Sequence, residues 1–279
     1  MHHAISDAAS LSAFLRETAA FYGALLSGER PDVPALPVQY GDFAEWQRET
    51  ATDEALADPL RRAVERLAGA PLVLEIPADR PRPARRTFAG ERLRCTIAPE
   101  IHDAVRALGR SCDATPFMVL LAAFETLLSS WAGTDDLVVG IPMSGRSRVE
   151  LENLIGFFVN TLVVRGDLSG DPTVAELLAR VRGEVLEVFD RQDLPFEKLV
   201  EALRPERLVT HAPVFQVMFN FHGEIEPPRF PGLTTVVEPL DNGTSPLDVS
   251  LLVADTARGA VWRVRFDAES QSPAERETN

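Results

Sequence analysis

The first periodic stretch of the chain carries Leu11, Phe14, Leu15, Phe21, Tyr22, Leu25 and Leu26 at spacings of three and four, with Ser12, Arg16 and Glu17 off the stripe. That spacing predicts an amphipathic helix closed by Gly28 and Pro31. Tyr40 to Gln47 reads as a short helix anchored by Tyr40, Phe43 and Trp46, all expected in the core. Leu56 to Leu67 repeats the helical period. Gly69 to Arg86 does not. Pro77, Pro81 and Pro83 remove backbone donors and fix φ, so this segment is expected to cross the surface in extended form.

Leu93, Cys95 and Ile97 alternate with Arg92, Arg94 and Thr96, which predicts a strand with one wet face. Pro99 to Arg110 follows as a helix in which His102 is expected to face solvent. Thr115-Pro116 opens a helix that is apolar around most of its circumference, as far as Gly133, and so predicts a buried one. Leu137 to Pro142 is a buried strand. Leu154 to Thr161 is an apolar run interrupted by Gly156, a sign of close backbone approach, and it leads into a strand at Leu162 to Val164. Thr173 and Glu176 form a capping box for a helix through Phe189, and a shorter helix runs from Gln192 to Leu203. The period then changes. Phe215 to Phe221, Leu247 to Val253 and Trp262 to Phe266 alternate as strands, with Thr234 to Glu238 a candidate fourth. Helices mixed with strands, followed by a run of strands, predict an α/β fold on a mixed sheet.

Composition narrows the classes. The chain has 279 residues, enough for one large domain or two small ones, and a net charge of -14 that argues against a nucleic-acid surface. Two cysteines, Cys95 and Cys112, give no disulfide framework and fit a reducing, cytoplasmic setting. No apolar run approaches the roughly 20 residues of a membrane helix. Residues 268–279 are polar and expected to be disordered. A glycine-rich phosphate loop, a Gly-x-Ser-x-Gly elbow and a Cys-x-x-Cys pair are all missing, so phosphoryl transfer, hydrolase and zinc chemistry find no support.

Candidate chemistry sits at the start. His2-His3-Ala4-Ile5-Ser6-Asp7 sets two imidazoles beside a carboxylate. A neutral imidazole takes a proton near neutral pH, and a nearby carboxylate can fix its tautomer or hold the local backbone. His3 is the candidate reacting group, with His2 and Asp7 shaping its surroundings. The same residues also fit a frayed terminus or half of a metal site, though no other His/Cys cluster completes one.

With His2-His3-Ala4-Ile5-Ser6-Asp7-Ala8, Tyr40 to Gln47, Ile155 to Thr161, Gln192 to Glu197 and Pro213 to Val217 in hand, the chain resembles the C-terminal two-thirds of a condensation domain from a nonribosomal peptide synthetase. The resemblance runs from Met1 to about Asp267. It implies a chloramphenicol-acetyltransferase-like fold, with 1–86 ending one lobe, 87–267 building the C-terminal lobe, and 268–279 a tail. It also implies amide formation between thioesters carried on the phosphopantetheine arms of donor and acceptor carrier proteins. No cofactor is bound directly. The implied partners are those carrier proteins and neighbouring synthetase domains, with neither nucleic acid nor membrane. His3 matches the family's second histidine, Asp7 the loop-holding aspartate, and Gly156 and Asn160 lie in a motif of the tunnel wall. Three departures stand out. Ala8 replaces a glycine, costing on the order of 1 kcal/mol if that position needs φ > 0. Arg207 to Pro213 loses most of its motif. The long first segment of the family is absent, so the expectation is a truncated or split domain. The alternatives are a non-catalytic remnant that binds a carrier protein, or an epimerisation or acyltransferase relative of the same fold.

Overall fold

The computed structural model describes residues 1–78, 81–84, 86–204, 210–223, 227–237, 240–256 and 259–267. Its helices are α1 (Ala8–Ser27), α2 (Tyr40–Thr50), α3 (Asp53–Arg66), α4 (Pro99–Ser111), α5 (Pro116–Ala132), α6 (Val174–Phe189) and α7 (Phe196–Leu203). Its strands are β1 (Gly90–Thr96), β2 (Asp136–Met143), β3 (Asn160–Asp167), β4 (Val217–Gly223), β5 (Val249–Thr256) and β6 (Gly259–Asp267). The described residues form two compact units: Met1–Ala57 with Met143–Asn160 and Ile225–Leu240, and Asp58–Pro142 with Thr161–Glu224 and Asp241–Asn279.

The second unit is built on one sheet with strand order β1-β6-β5-β4-β2-β3. β4 runs parallel to β5 and to β2, whereas β6 is antiparallel to both β5 and β1, so the sheet is mixed as the α/β reading expects. α5 owes its place to its composition. Leu121, Phe124 and Leu128 are buried, and Phe124 stacks on Phe219 of β4 with ring centroids 5.9 Å apart. Thr115 caps the helix by accepting from the Met118 N–H, and Gly133 closes it in the left-handed conformation. The Thr173–Glu176 capping box holds the start of α6 as predicted.

Several expectations change. The 69–86 crossing is not wholly superficial. Leu74 and Ile76 are buried, and the Leu74 N–H donates to the buried Gln216 side chain at 2.6 Å, while Gln216 donates to the carbonyls of Leu72 and Ala212. β1 lies at the sheet edge with Cys95 exposed, so its alternation does not mark a buried face. His102 does not face solvent. It is buried, its Nε2 lies 2.8 Å from Asp255 of β5, and Arg106 one turn later grips the same carboxylate. Residues 234–237 form no strand, and Glu238 and the 268–279 tail lie outside the described residues.

The first unit packs Phe43, Leu151, Leu154 and Phe158 into a small core, flanked by Val38 and Trp46. Phe43 is buried as expected, but Tyr40 is 36% exposed and Phe157 38% exposed. The rotation of α1 also differs from its apolar stripe. Ser10, Ala13 and Ala24 face inward, while Leu11, Phe14, Phe21, Leu25 and Leu26 are exposed. The cause is at the helix start, where polar groups anchor the face that packs.

Candidate functional site

His3 to Ile5 form a single 3-10 turn, and Asp7 then caps α1. The turn brings the His3 Nδ1 to 2.8 Å from the Ser6 carbonyl. A carbonyl only accepts, so Nδ1 carries the proton and the Nε2 lone pair is left for chemistry. His2 has the opposite arrangement: its Nδ1 accepts from the Ala4 N–H at 3.1 Å. Both imidazoles are exposed. His3 is therefore oriented by a backbone carbonyl, not by the nearby carboxylate.

Asp7 holds the backbone instead. Its side chain is 2% exposed and pairs with Arg146, which is 5% exposed. Arg146 Nη2 lies 2.9 and 3.1 Å from the two carboxylate oxygens. The Ser10 N–H donates to the same carboxylate at 2.8 Å, and the Phe158 N–H at 3.3 Å. Burial alone pushes the Asp7 carboxyl upward, but the Ser10 N–H, the Ser10 hydroxyl and Arg146 outweigh it, and the group ends below its ordinary value of 3.8. Ser10 accepts from the Gly156 N–H at 3.0 Å and from Arg146, with its hydroxyl proton shared between Asp7 and the Gly156 carbonyl. Arg146 Nη1 donates to the carbonyls of Leu151 and Leu154, and its guanidinium lies 4.0 Å over the Phe158 ring. One buried ion pair thus ties the histidine turn, the start of α1 and the 151–158 loop together.

Two glycines make this approach possible. Gly145 adopts φ +62, and a Cβ there would fall on the Phe158 carbonyl. Gly156 packs against Tyr40, where a Cβ would stand 2.1 Å from Cδ2 of the ring. Gly156→Ala is expected to cost about 1–3 kcal/mol by overpacking. Denaturant unfolding checks this, and Tyr40→Ala in the same chain should recover part of the loss. The Ala8 departure proves harmless: Ala8 is the first residue of α1 and is not among the residues with positive φ.

His2, His3, Asp7 and Gly156 therefore converge. Asn160 opens β3, two residues past Phe158. Sequence reading passed over Arg146 and Ser10. The only local signal was a Gly-Arg pair between a strand and an apolar run, and the partner carboxylate is 139 residues away. Among the described residues no three His, Cys, Asp or Glu side chains gather to hold a metal, and no single helix is long and apolar enough to cross a membrane.

These features meet independent matches. The Condensation domain family matches residues 1–270, and the chain belongs to that family. It is 44% identical over 272 residues to a linear gramicidin synthase of Brevibacillus parabrevis, covering 96% of this chain and 4% of that protein. It is also 44% identical over 218 residues to phosphinothricin tripeptide synthetase PhsC of Streptomyces viridochromogenes, covering 78% of this chain and 20% of that one. The chain thus spans a small part of these relatives. Among solved structures it is similar to the X-domain in complex with OxyB from teicoplanin biosynthesis, with TM-score 0.87, 28% identity, and 100% and 63% of the two chains covered. The four-domain nonribosomal peptide synthetase AB3403 shares the fold at TM-score 0.82 and 23% identity, over 99% of this chain and 22% of that one.

Proposed function

We propose that this chain is the part of a nonribosomal peptide synthetase condensation domain that carries its proton-transfer histidine. It would join a carrier-bound aminoacyl or peptidyl thioester to a carrier-bound acceptor amine. The acceptor nitrogen attacks the thioester carbonyl, a C–N bond forms and the C–S bond breaks. His3 Nε2 takes the amine proton and returns it to the departing sulfur, leaving an amide and a free phosphopantetheine thiol. Thioesters are already activated, so placement plus one proton acceptor suffices. Asp7 does not react. It holds the His3 turn through Arg146 and Ser10. Gly156 and Asn160 are assigned to the wall of the substrate passage. The carrying observation is the His3 Nδ1 contact to the Ser6 carbonyl, which leaves Nε2 as an acceptor.

His3→Ala is expected to lower the single-turnover rate by about 10²-fold or more, with an unchanged melting temperature, because the side chain is exposed. His2→Ala is expected to lose far less. A second reading, a binding module without chemistry, has one observation behind it: a solved relative of high structural similarity is a complex with another protein, OxyB. Under that reading His3→Ala changes nothing in partner binding and there is no turnover to lose.

A further inference from the structure

Tyr40 is the first residue of α2, whose start is fixed by the Gln39–Asp42 capping box. Its ring lies so close to Gly156 that a Cβ there would stand 2.1 and 2.4 Å from Cδ2 and Cε2. Its hydroxyl donates to the Phe157 carbonyl at 2.8 Å. Its edge meets the Phe158 ring at 5.1 Å and 88°. One side chain therefore grips three consecutive residues. Phe158 is pulled into the core, whereas Phe157 is left 38% exposed. Its ring stands edge-on to the His3 imidazole, with centroids 5.0 Å apart and planes at 85°. A phenyl ring this exposed is not placed by burial. Its position follows from the backbone that the Tyr40 hydroxyl holds.

We propose that Tyr40 and Phe157 are positioning residues for His3, with Phe157 fixing the imidazole plane and Tyr40 fixing Phe157. The inference rests on the reading of His3 as the proton acceptor. The Ser6 carbonyl sets which nitrogen carries the proton, but one hydrogen bond leaves the ring free to swing about it. A perpendicular aromatic neighbour removes that freedom and excludes water from one side of the ring. Tyr40 touches no reacting atom and acts only through Phe157.

The test uses the full chain labelled with ¹⁵N-histidine, together with its turnover on carrier-bound thioesters. Tyr40→Phe keeps the ring and deletes one hydroxyl. Phe157→Leu keeps apolar bulk and deletes the perpendicular ring. Both are expected to turn the single His3 tautomer signal into a mixed or broadened one. Both are also expected to lower kcat about fivefold, with KM within twofold and melting unchanged. Phe157→Tyr, which keeps the ring, should restore most of what Phe157→Leu loses. Wild-type His3 signals and kcat in both variants would overturn the proposal. So would a loss of kcat that appears only together with a lowered melting temperature. If His3→Ala leaves turnover unaltered, the reading of His3 itself fails, whereas the imidazole signals still decide whether Tyr40 and Phe157 position it.

Discussion

Arg146→Met is expected to destabilise the protein by about 3–5 kcal/mol, because it strands the Asp7 carboxylate in a site that is 2% exposed. Ser10 and Phe158 still donate to the carboxylate, which sets the lower end of that range. Asp7→Asn with Arg146→Met removes both charges and should cost clearly less than the sum of the single changes, since replacing a buried pair is far cheaper than breaking one. Turnover should fall with Arg146→Met as well, because the same pair ties the His3 turn to the 151–158 loop. The acid limb of stability gives an independent reading. Asp7 titrates below 3.8 in the folded protein, so its contribution is present above the unfolded value and is lost as pH falls through the folded one. Arg146→Met should flatten that limb. A variant within 1 kcal/mol of wild type, with the same acid limb, would remove the ion pair from the account.

Glu125→Gln is expected to have a comparable effect of opposite sign. Glu125 lies in the middle of α5, is 0% exposed, and neither carboxyl oxygen has a hydrogen-bond partner among the described residues. Burial first, and then the charge of Glu184 on α6, push its pKa from 4.5 to about 8. Glu184 itself accepts from the Arg165 N–H at 3.1 Å and pairs with Arg66, so it stays an anion beside Glu125. The folded pKa is the higher one. As pH rises from 4.5 to about 8 the unfolded chain releases this proton and the folded chain does not, so stability falls across that window. At about 1.4 kcal/mol per unit the limit is on the order of 5 kcal/mol. Glutamine never ionises. The stability gap between Glu125→Gln and wild type should therefore widen by several kcal/mol from pH 4.5 to pH 8, measured by denaturant unfolding at both. A gap that does not change with pH would contradict the burial of an ionisable Glu125.

Elements governed by neighbours in sequence were legible from the residues. The Thr115 and Thr173 caps, the apolar α5, the glycine stop at Gly133 and the alternation of β4 and β5 each follow from side chains within a few positions. The histidine turn was legible for the same reason, and the close approach at Gly156 followed from one glycine in an apolar run. What escaped were pairings across long separations. The partners Asp7–Arg146 and His102–Asp255 are 139 and 153 residues apart, and no periodicity links them. The rotation of α1 escaped because the large apolar stripe outweighs Ser10 and Ala13 in any moment, while the hydrogen bonds of Asp7 and Ser10 decide which face packs. Glu125 was hidden by its apolar neighbours on α5, which suggested burial without marking the one carboxyl that burial perturbs.

The most direct test of the proposed chemistry is the intact mass of an acceptor carrier protein after incubation with this chain and a donor-loaded carrier protein. The account predicts that the acceptor gains the mass of the donor acyl group with the wild-type chain and gains nothing above background with His3→Ala. Equal gain with His3→Ala, or a folded wild-type chain that binds both carriers and yields no product, would contradict it.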